Sequence, residues 1–336
     1  MLVVHTHLHR RRTGVTSHVE AVVRGLGPEV EARVLGYGVE RALPRIGPLA
    51  LLRRSRREQV VVHAHRNPEV LLILLLRLLG ARLRLVFTRH GAGRPSWLTR
   101  ALLFRADRVV ALTRLAADAL DVASKVIPHG VDTTRFTPPG DRSDAKRRLG
   151  LTPAPTVGVV GRIRPPKGQG DFVDAFVRVA PGHPDAQALV AGLAKPSDQG
   201  FVESLRQRAG GRLHVLGPTD QVETLFQALD IVVQPSHAES FSLVLLEAMA
   251  SGCCVIAAHL PHYPELLEDG VTGLLYPVGD VEALAAQLRR VLEDPALAAS
   301  LGAAAAAKVA RHHGLTTQVR ALRAFYAELA AAPARA

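Results

Sequence analysis

Three stretches of the sequence place phosphate- or hydroxyl-binding residue types beside glycines. The first is His9-Arg10-Arg11-Arg12-Thr13-Gly14-Val15-Thr16-Ser17. It follows an apolar run and opens a helical pattern, so Gly14 would let backbone approach a ligand at a helix N-terminus rich in cations. The second, Gly161-Arg162-Ile163-Arg164-Pro165-Pro166-Lys167-Gly168, sets Arg162 and Lys167 five apart on a strand-to-helix loop. Two such cations can converge on a diphosphate and neutralise a leaving group, although a solvated basic loop would look the same. The third runs from Pro235-Ser236-His237-Ala238-Glu239 through Ser240-Phe241-Ser242-Leu243 to Glu247 and Gly252. Glu247 is the only charge in the apolar helical stretch Leu243–Ala250. A buried, unpaired carboxylate costs several kcal/mol, so Glu247 must be exposed, paired with protein or turned toward a polar ligand. His90 closes the run Leu85-Val86-Phe87-Thr88-Arg89-His90 beside Gly91 and Gly93, and His63, His65 and His129 stand at comparable strand ends.

The elements that must position these residues alternate. Apolar runs at Leu2–His5, Val30–Leu35, Val60–Ala64, Leu83–Thr88, Val109–Leu112 and Lys125–Ile127 are separated by helical patterns such as Val15–Leu26, Pro68–Leu79, Ser96–Arg105 and Arg114–Leu120. The alternation resumes at Thr156–Val160, Ala188–Ala191, Leu213–Leu216, Ile231–Gln234 and Cys253–Ala257, and the chain ends in helical patterns over 281–292, 295–312 and 315–331. This is the signature of doubly wound α/β domains. The Pro138-Pro139-Gly140 cluster marks the boundary. The expected division is 1–140, 141–314 and a C-terminal helix, 315–336, packing back on the first domain. Two Rossmann-like domains imply a central cleft, with ligands at the carboxyl ends of strands. Neither a G-x-G-x-x-G nor a Walker A sequence is present, which argues against a dinucleotide-binding dehydrogenase or a P-loop enzyme.

The 336 residues suffice for two domains, and their formal charge of +12 is unevenly spread. Residues 1–150 hold 27 Lys and Arg against 12 Asp and Glu, a balance of +15, whereas the remainder carries −3. The first half is therefore expected to meet something anionic, unless the many arginines simply reflect an arginine-rich proteome. Arg41–Arg57, with Arg53, Arg54, Arg56 and Arg57 beside an apolar stripe, reads as an interfacial helix for anionic lipid or as a solvated basic surface helix. Val70–Leu79 is too short to span a bilayer and reads as a core helix. The N-terminus reads as a first strand, not a signal peptide. Adjacent Cys253 and Cys254 offer neither a disulfide framework nor metal-ligand spacing, which suits a reducing cytoplasm. With aromatics at 4% and no reader motif, a non-catalytic nucleic-acid-binding protein is the weaker alternative.

Arg162 and Lys167, followed by Glu239 and Glu247 at E-x7-E spacing, resemble the donor-site signature of family 4 (group 1) retaining glycosyltransferases with the GT-B fold. Ile127-Pro128-His129-Gly130-Val131-Asp132 and Phe136 resemble that family's domain-junction segment. Arg11–Ser17, Pro95–Arg100 and the His129–Thr133 run look most like the lipopolysaccharide-core mannosyltransferases. The resemblance implies that the second domain binds a nucleotide-sugar, GDP-mannose or a UDP-sugar. Arg162 and Lys167 would then hold its diphosphate with backbone N–H groups around Phe241, Ser242 and Leu243, Glu247 the ribose, Glu239 the transferred sugar, and His90 the donor from the first domain. Gly14 would line the donor phosphate. It further implies phosphate-assisted front-side transfer to a glycolipid or other phosphorylated acceptor, in the cytoplasm or peripherally on its membrane face. A soluble acceptor is the alternative. No Asp-x-Asp occurs, so neither a metal nor another cofactor is expected. The sequence departs from the family pattern at Thr13, His129 and Ser242, where Gly, Asn and Gly are usual.

Overall fold

The computed structural model describes residues 1–91 and 93–332. The final residues 333–336 of the expected C-terminal segment lie outside it. The chain forms two compact units, Met1–Asp132 with the chain from His313 onward, and Thr133–His312.

The first unit is built on β1 (Leu2–Leu8), β2 (Glu31–Tyr37), β3 (Val60–Ala64), β4 (Leu83–Thr88), β5 (Arg108–Ala111) and β6 (Ser124–Val126), all parallel in the order β2-β1-β3-β4-β5-β6. Their side chains are largely buried, which is why the strands read as continuous apolar runs. On one face Val3, Val61, Val86 and Val110 pack under helices Gly14–Gly25 and Leu315–Ala331, which contribute Val22, Leu26, Val319, Leu322 and Phe325. On the other, Val4, Val62, Leu85 and Phe87 meet Val70, Ile73 and Leu76 of helix Asn67–Leu78 and Leu102 and Leu103 of helix Trp97–Arg105.

The second unit repeats the plan with β7 (Thr156–Val160), β8 (Gln187–Ala191), β9 (Leu213–Leu216), β10 (Ile231–Gln234), β11 (Cys254–Ala258) and β12 (Leu274–Tyr276), parallel in the order β12-β11-β10-β7-β8-β9. Phe172, Phe176, Leu205, Leu284 and Leu288 cover one face. Strand order reverses between β1 and β3 in one sheet and between β7 and β10 in the other. Those switch points are where such sheets bind ligands, and the sequence motifs follow these strands.

Two bounds of the compact units differ from the expected division. The unit boundary falls at Asp132/Thr133 and not at 140/141, because residues 133–148 are tied into the second unit. Phe136 packs edge-on to Phe226 with centroids 5.9 Å apart, and Arg135 pairs with Glu223. Arg142 donates to the Leu229 and Gly252 carbonyls at 2.7 Å, and Lys146 binds Asp230 at 2.7 Å. The return crossing lies at His312/His313 and not 314/315, since Val131 N–H donates to His313 O and Leu315 N–H to Val131 O. Helix Asn67–Leu78 covers the sheet as expected through Val70, Ile73 and Leu76, while Leu71, Leu75 and Leu78 face outward.

Candidate functional site

In the second unit the loops after β7 and β10 fold onto one another. Gly168 has φ +70°, and a Cβ there would stand 1.9 Å from the Pro235 carbonyl oxygen, so only glycine permits this approach. His237 N–H donates to Pro166 O at 3.2 Å, and its ring Nε2 lies 2.6 Å from Asp171 Oδ2. The closure brings Lys167 and Glu239 into an ion pair, both side chains about four-fifths buried. Arg162 is held by its backbone, its carbonyl accepting from Gln169 Nε2 at 3.0 Å. Its guanidinium has no ion-pair partner among the described residues.

Ser242 caps helix Leu243–Ala250, its Oγ accepting from Leu245 N–H at 3.1 Å. The first N–H groups of a helix lack intrahelical acceptors and favour anions. Phe241 is buried beneath this end. Glu247 lies one turn further on, half-buried, and no described residue hydrogen-bonds its carboxylate. Burial pushes the carboxyl up to about 7, with Arg135 pulling it down and Glu223 adding to the rise. Of the three arrangements open from sequence, the structure shows a recessed carboxylate without a hydrogen-bond partner among the described residues. Sequence reasoning missed His262, buried beside this loop. Burial lowers its pKa, and Glu239 works against that shift.

In the first unit, Gly14 is the exposed first residue of helix Gly14–Gly25 and has no positive φ. Thr13 N–H donates to Thr16 Oγ1 at 3.0 Å, and Arg66 Nη2 donates to Thr13 Oγ1 at 3.2 Å. At the β1/β3 switch point the buried Glu69, which sequence reading passed over, accepts from Thr6 Oγ1, Leu8 N–H, His65 N–H and Arg66 N–H at 2.8–3.1 Å. It thereby ties the two strand ends together.

His90 is half-buried, and its Nε2 lies 3.2 Å from His65 Nδ1. It belongs to a cluster of imidazoles that comprises His5, His18, His63, His65 and His129. Strand alternation explains the cluster. Val3-x-His5, Val61-x-His63-x-His65 and Val86-x-Thr88-x-His90 share one face, with His5 in register with His63, and His63 with Val86. Burial above all holds these rings neutral. His5 is pushed down to about 3 and His90 to about 4, the latter also by Arg66. His18, His63, His65 and His129 lie well below 6.5, neighbouring imidazoles adding to the effect of burial. One ring nitrogen from each of His5, His63 and His65 falls within 4.8 Å of the others, a spacing that could admit a cation. Sequence reading raised His63 and His65 but not their assembly.

Residues 4–135 match the Glycosyltransferase Family 4 domain and residues 141–308 the family described as Glycosyl transferases group 1. The chain belongs to the group 1 glycosyltransferases. It is 35% identical to the lipopolysaccharide core biosynthesis mannosyltransferase LpsB of Rhizobium meliloti (strain 1021), over 97% of each chain. It is 33% identical to LpcC of Rhizobium leguminosarum bv. viciae, also described as a lipopolysaccharide core biosynthesis mannosyltransferase, over 97% of this chain and 96% of the relative. The glycosyltransferase fold extends to HepE of Anabaena, solved with UDP and glucose, at a TM-score of 0.86 and 22% identity over 98% of this chain and all of that one. The glycosyltransferase therefore has the GT-B architecture expected from its sequence, two Rossmann-like units with their motif loops at the carboxyl ends of the strands.

Proposed function

We propose that this glycosyltransferase moves a hexose, mannose by analogy with its relatives, from a nucleotide-sugar to a phosphorylated lipopolysaccharide-core acceptor with retention at the anomeric carbon. The observation that carries the donor reading is Glu247, a recessed carboxylate that no described residue hydrogen-bonds, on the helix whose capped N-terminus adjoins the Lys167–Glu239 pair. A ribose diol supplies the two hydroxyl donors that such a carboxylate lacks. Lys167 exchanges Glu239 for the donor diphosphate, where Arg162 and the N–H groups at Ser242 and Leu243 share the charge. Glu239, released, accepts from hydroxyls of the transferred sugar, and His90 contacts that sugar. Gly14 at its helix N-terminus adds a further anion-binding edge.

No side chain in this set is proposed as a nucleophile. The acceptor hydroxyl attacks the face from which the nucleoside diphosphate departs and passes its proton to the leaving phosphate, and Arg162 and Lys167 stabilise the charge that develops there. The step requires no metal ion. Addition of GDP-mannose or a UDP-sugar at a hundred times its Kd is expected to stabilise the protein by about 2.7 kcal/mol. The gain should disappear in Lys167→Ala. A melting temperature unmoved by every nucleotide-sugar would sink the donor reading.

We further infer that the acceptor is met at an anionic membrane surface, by a different surface from the one the charge pattern suggested. Within Arg41–Arg57 the helix covers only Pro48–Ser55, with Leu51 and Ser55 buried and Arg54 tied to Glu31 and Glu58. Helices Asn67–Leu78 and Trp97–Arg105, joined by a bond from Asn67 Nδ2 to Thr99 Oγ1, instead expose several large apolar side chains. Leu78 is 84% and Trp97 82% exposed, with Leu71, Leu75, Leu79 and Phe104 about half exposed. Exposed Arg94 and Arg105 belong to the same segment, as does Arg100, which pairs with Asp121 at 3.1 Å. Apolar side chains with cations beside them suit insertion at anionic headgroups. Replacing Leu75 and Leu78 together with Glu is expected to cut sedimentation with phosphatidylglycerol vesicles at least tenfold. Equal sedimentation of the variant and the wild type would refute this surface.

A further inference from the structure

The imidazoles behind His90 form a continuous chain. His90 Nε2 lies 3.2 Å from His65 Nδ1, His65 Nε2 3.2 Å from His5 Nδ1, and His5 Nε2 3.2 Å from the Tyr326 hydroxyl. That hydroxyl lies 2.6 Å from His63 Nδ1, and His63 Nε2 lies 2.5 Å from Thr88 Oγ1. Every member behind His90 is at most 3% exposed. β1, β3 and β4 supply His5, His63 and Thr88, His65 and His90 stand just past the ends of β3 and β4, and helix Leu315–Ala331 supplies the tyrosine.

A neutral imidazole has one N–H and one lone pair, so each ring that receives a hydrogen bond on one side donates on the other, whereas a hydroxyl has one hydrogen and two lone pairs. Two orders run in one direction throughout; in a third, Tyr326 accepts from both His5 and His63, which leaves its own buried hydrogen without an acceptor. If His90 donates inward from Nε2, every link points toward Thr88, whose own hydroxyl hydrogen is then left in the core with no acceptor among the described residues. If Thr88 donates to His63, the order runs through Tyr326, His5 and His65 to His90 Nε2, and every buried hydrogen has an acceptor. Buried polar groups left unpaired are costly, which favours the second order. His90 then carries its proton on Nδ1, the nitrogen that no described residue engages.

We propose that Thr88, His63, Tyr326, His5 and His65 are positioning residues that fix the tautomer of His90, so that it presents Nδ1–H as a hydrogen-bond donor to an oxygen of the bound nucleotide-sugar. This rests on the reading that His90 contacts the donor. It explains why a neutral relay lies buried there, because a charged imidazole would break the alternation. His5, His63 and His65 pair with Tyr326, Thr88 and one another in this scheme, where a cation would need them to converge.

The test uses the full chain. Long-range nitrogen–proton NMR of the ligand-free wild type should show His90 protonated on Nδ1. Thr88→Val keeps the shape and removes the first hydrogen of the chain. His63 Nε2 is then unpaired in either order, so the bias toward the second order narrows, and His90 is expected to take up a measurable fraction of the Nε2–H form and kcat to fall several-fold with little change in acceptor KM. Tyr326→Phe should act in the same direction, and Thr88→Ser, which keeps the hydroxyl, should restore both the tautomer and the rate. An unchanged His90 tautomer in Thr88→Val overturns the proposal. So does a shifted tautomer with unaltered turnover, or stoichiometric zinc in the purified protein that is lost on replacing His5. Full transfer by His90→Ala would overturn the underlying reading of His90 instead, a separate outcome because the chain order is read without substrate.

Discussion

Lowering the pH from 7.5 to 5.5 is expected to destabilise the first unit by about 7 kcal/mol. His5, His18, His63, His65 and His129 are buried and held neutral, their pKa values depressed by burial and by one another. In the unfolded chain each titrates near 6.5. Below that pH the unfolded state binds protons that the folded state refuses, so stability falls by up to about 1.4 kcal/mol per pH unit for each ring. The loss begins near 6.5 and continues until the native values are reached, near 3 for His5. At pH 5.5 the five rings together remove about 7 kcal/mol, against a typical total of 5–15 kcal/mol. Among the described residues no carboxylate hydrogen-bonds the rings of His5, His63, His65 or His90 to offset this, and Arg66 opposes protonation of His90. Glu31, pushed down to about 2 mainly by its hydrogen bond to Arg54, loses its contribution only at lower pH. Urea midpoints at pH 7.5, 6.5 and 5.5, with calorimetric proton uptake in buffers of different ionisation enthalpy, measure the effect. A midpoint independent of pH, or unfolding that takes up no protons, would refute it.

The strands were legible because a parallel sheet buried on both faces is written as short apolar runs. Leu274–Tyr276 was not read as a strand because its three residues sit between Gly273 and Pro277, where turn-forming residues dominate the pattern. The domain boundary misled for a physical reason. Pro138-Pro139-Gly140 has linker composition, yet Phe136 and Arg142 on either side of it are anchored in the second unit. Arg162, Lys167, Glu239 and Glu247 could be picked out as loop and helix residues after β7 and β10. That Lys167 and Glu239 touch, 72 positions apart, depends on the approach of Gly168 to Pro235. The imidazole chain was half visible. Val61-x-His63-x-His65 declares a shared face, but the order of strands across crossovers does not follow from one strand's pattern. Tyr326 lies 263 residues beyond His63 on an unremarkable amphipathic helix.

Glu247→Gln is expected to stabilise the ligand-free protein while weakening its hold on the nucleotide-sugar. The carboxyl titrates near 4.5 in the unfolded chain and near 7 in the folded one. Between those values the folded state binds the extra proton, so stability falls as pH rises from about 4.5 to 7 and stays low above it. A shift of that size corresponds to at most about 3 kcal/mol, and partial exposure reduces it toward 1–2 kcal/mol. An amide of the same shape does not titrate, so the gain should be present at pH 8 and absent at pH 4.5, where the first unit is already acid-sensitive and the isolated effect is best followed by the second unit's own transition. In the complex the balance reverses. An ionised carboxylate accepting two hydroxyl hydrogens contributes about 1.5–3 kcal/mol, and an amide that can accept with only one of its heavy atoms forfeits much of it. Donor Kd should therefore rise roughly 10- to 100-fold. Wild-type affinity should also strengthen as pH passes upward through 7, a dependence the variant should lack. Thermal denaturation and calorimetric titration at pH 6, 7 and 8 read both effects. Stabilisation with unchanged donor affinity would mean that Glu247 is strained for some purpose other than the donor. Lost affinity without stabilisation would mean that its carboxylate is already satisfied in the free protein.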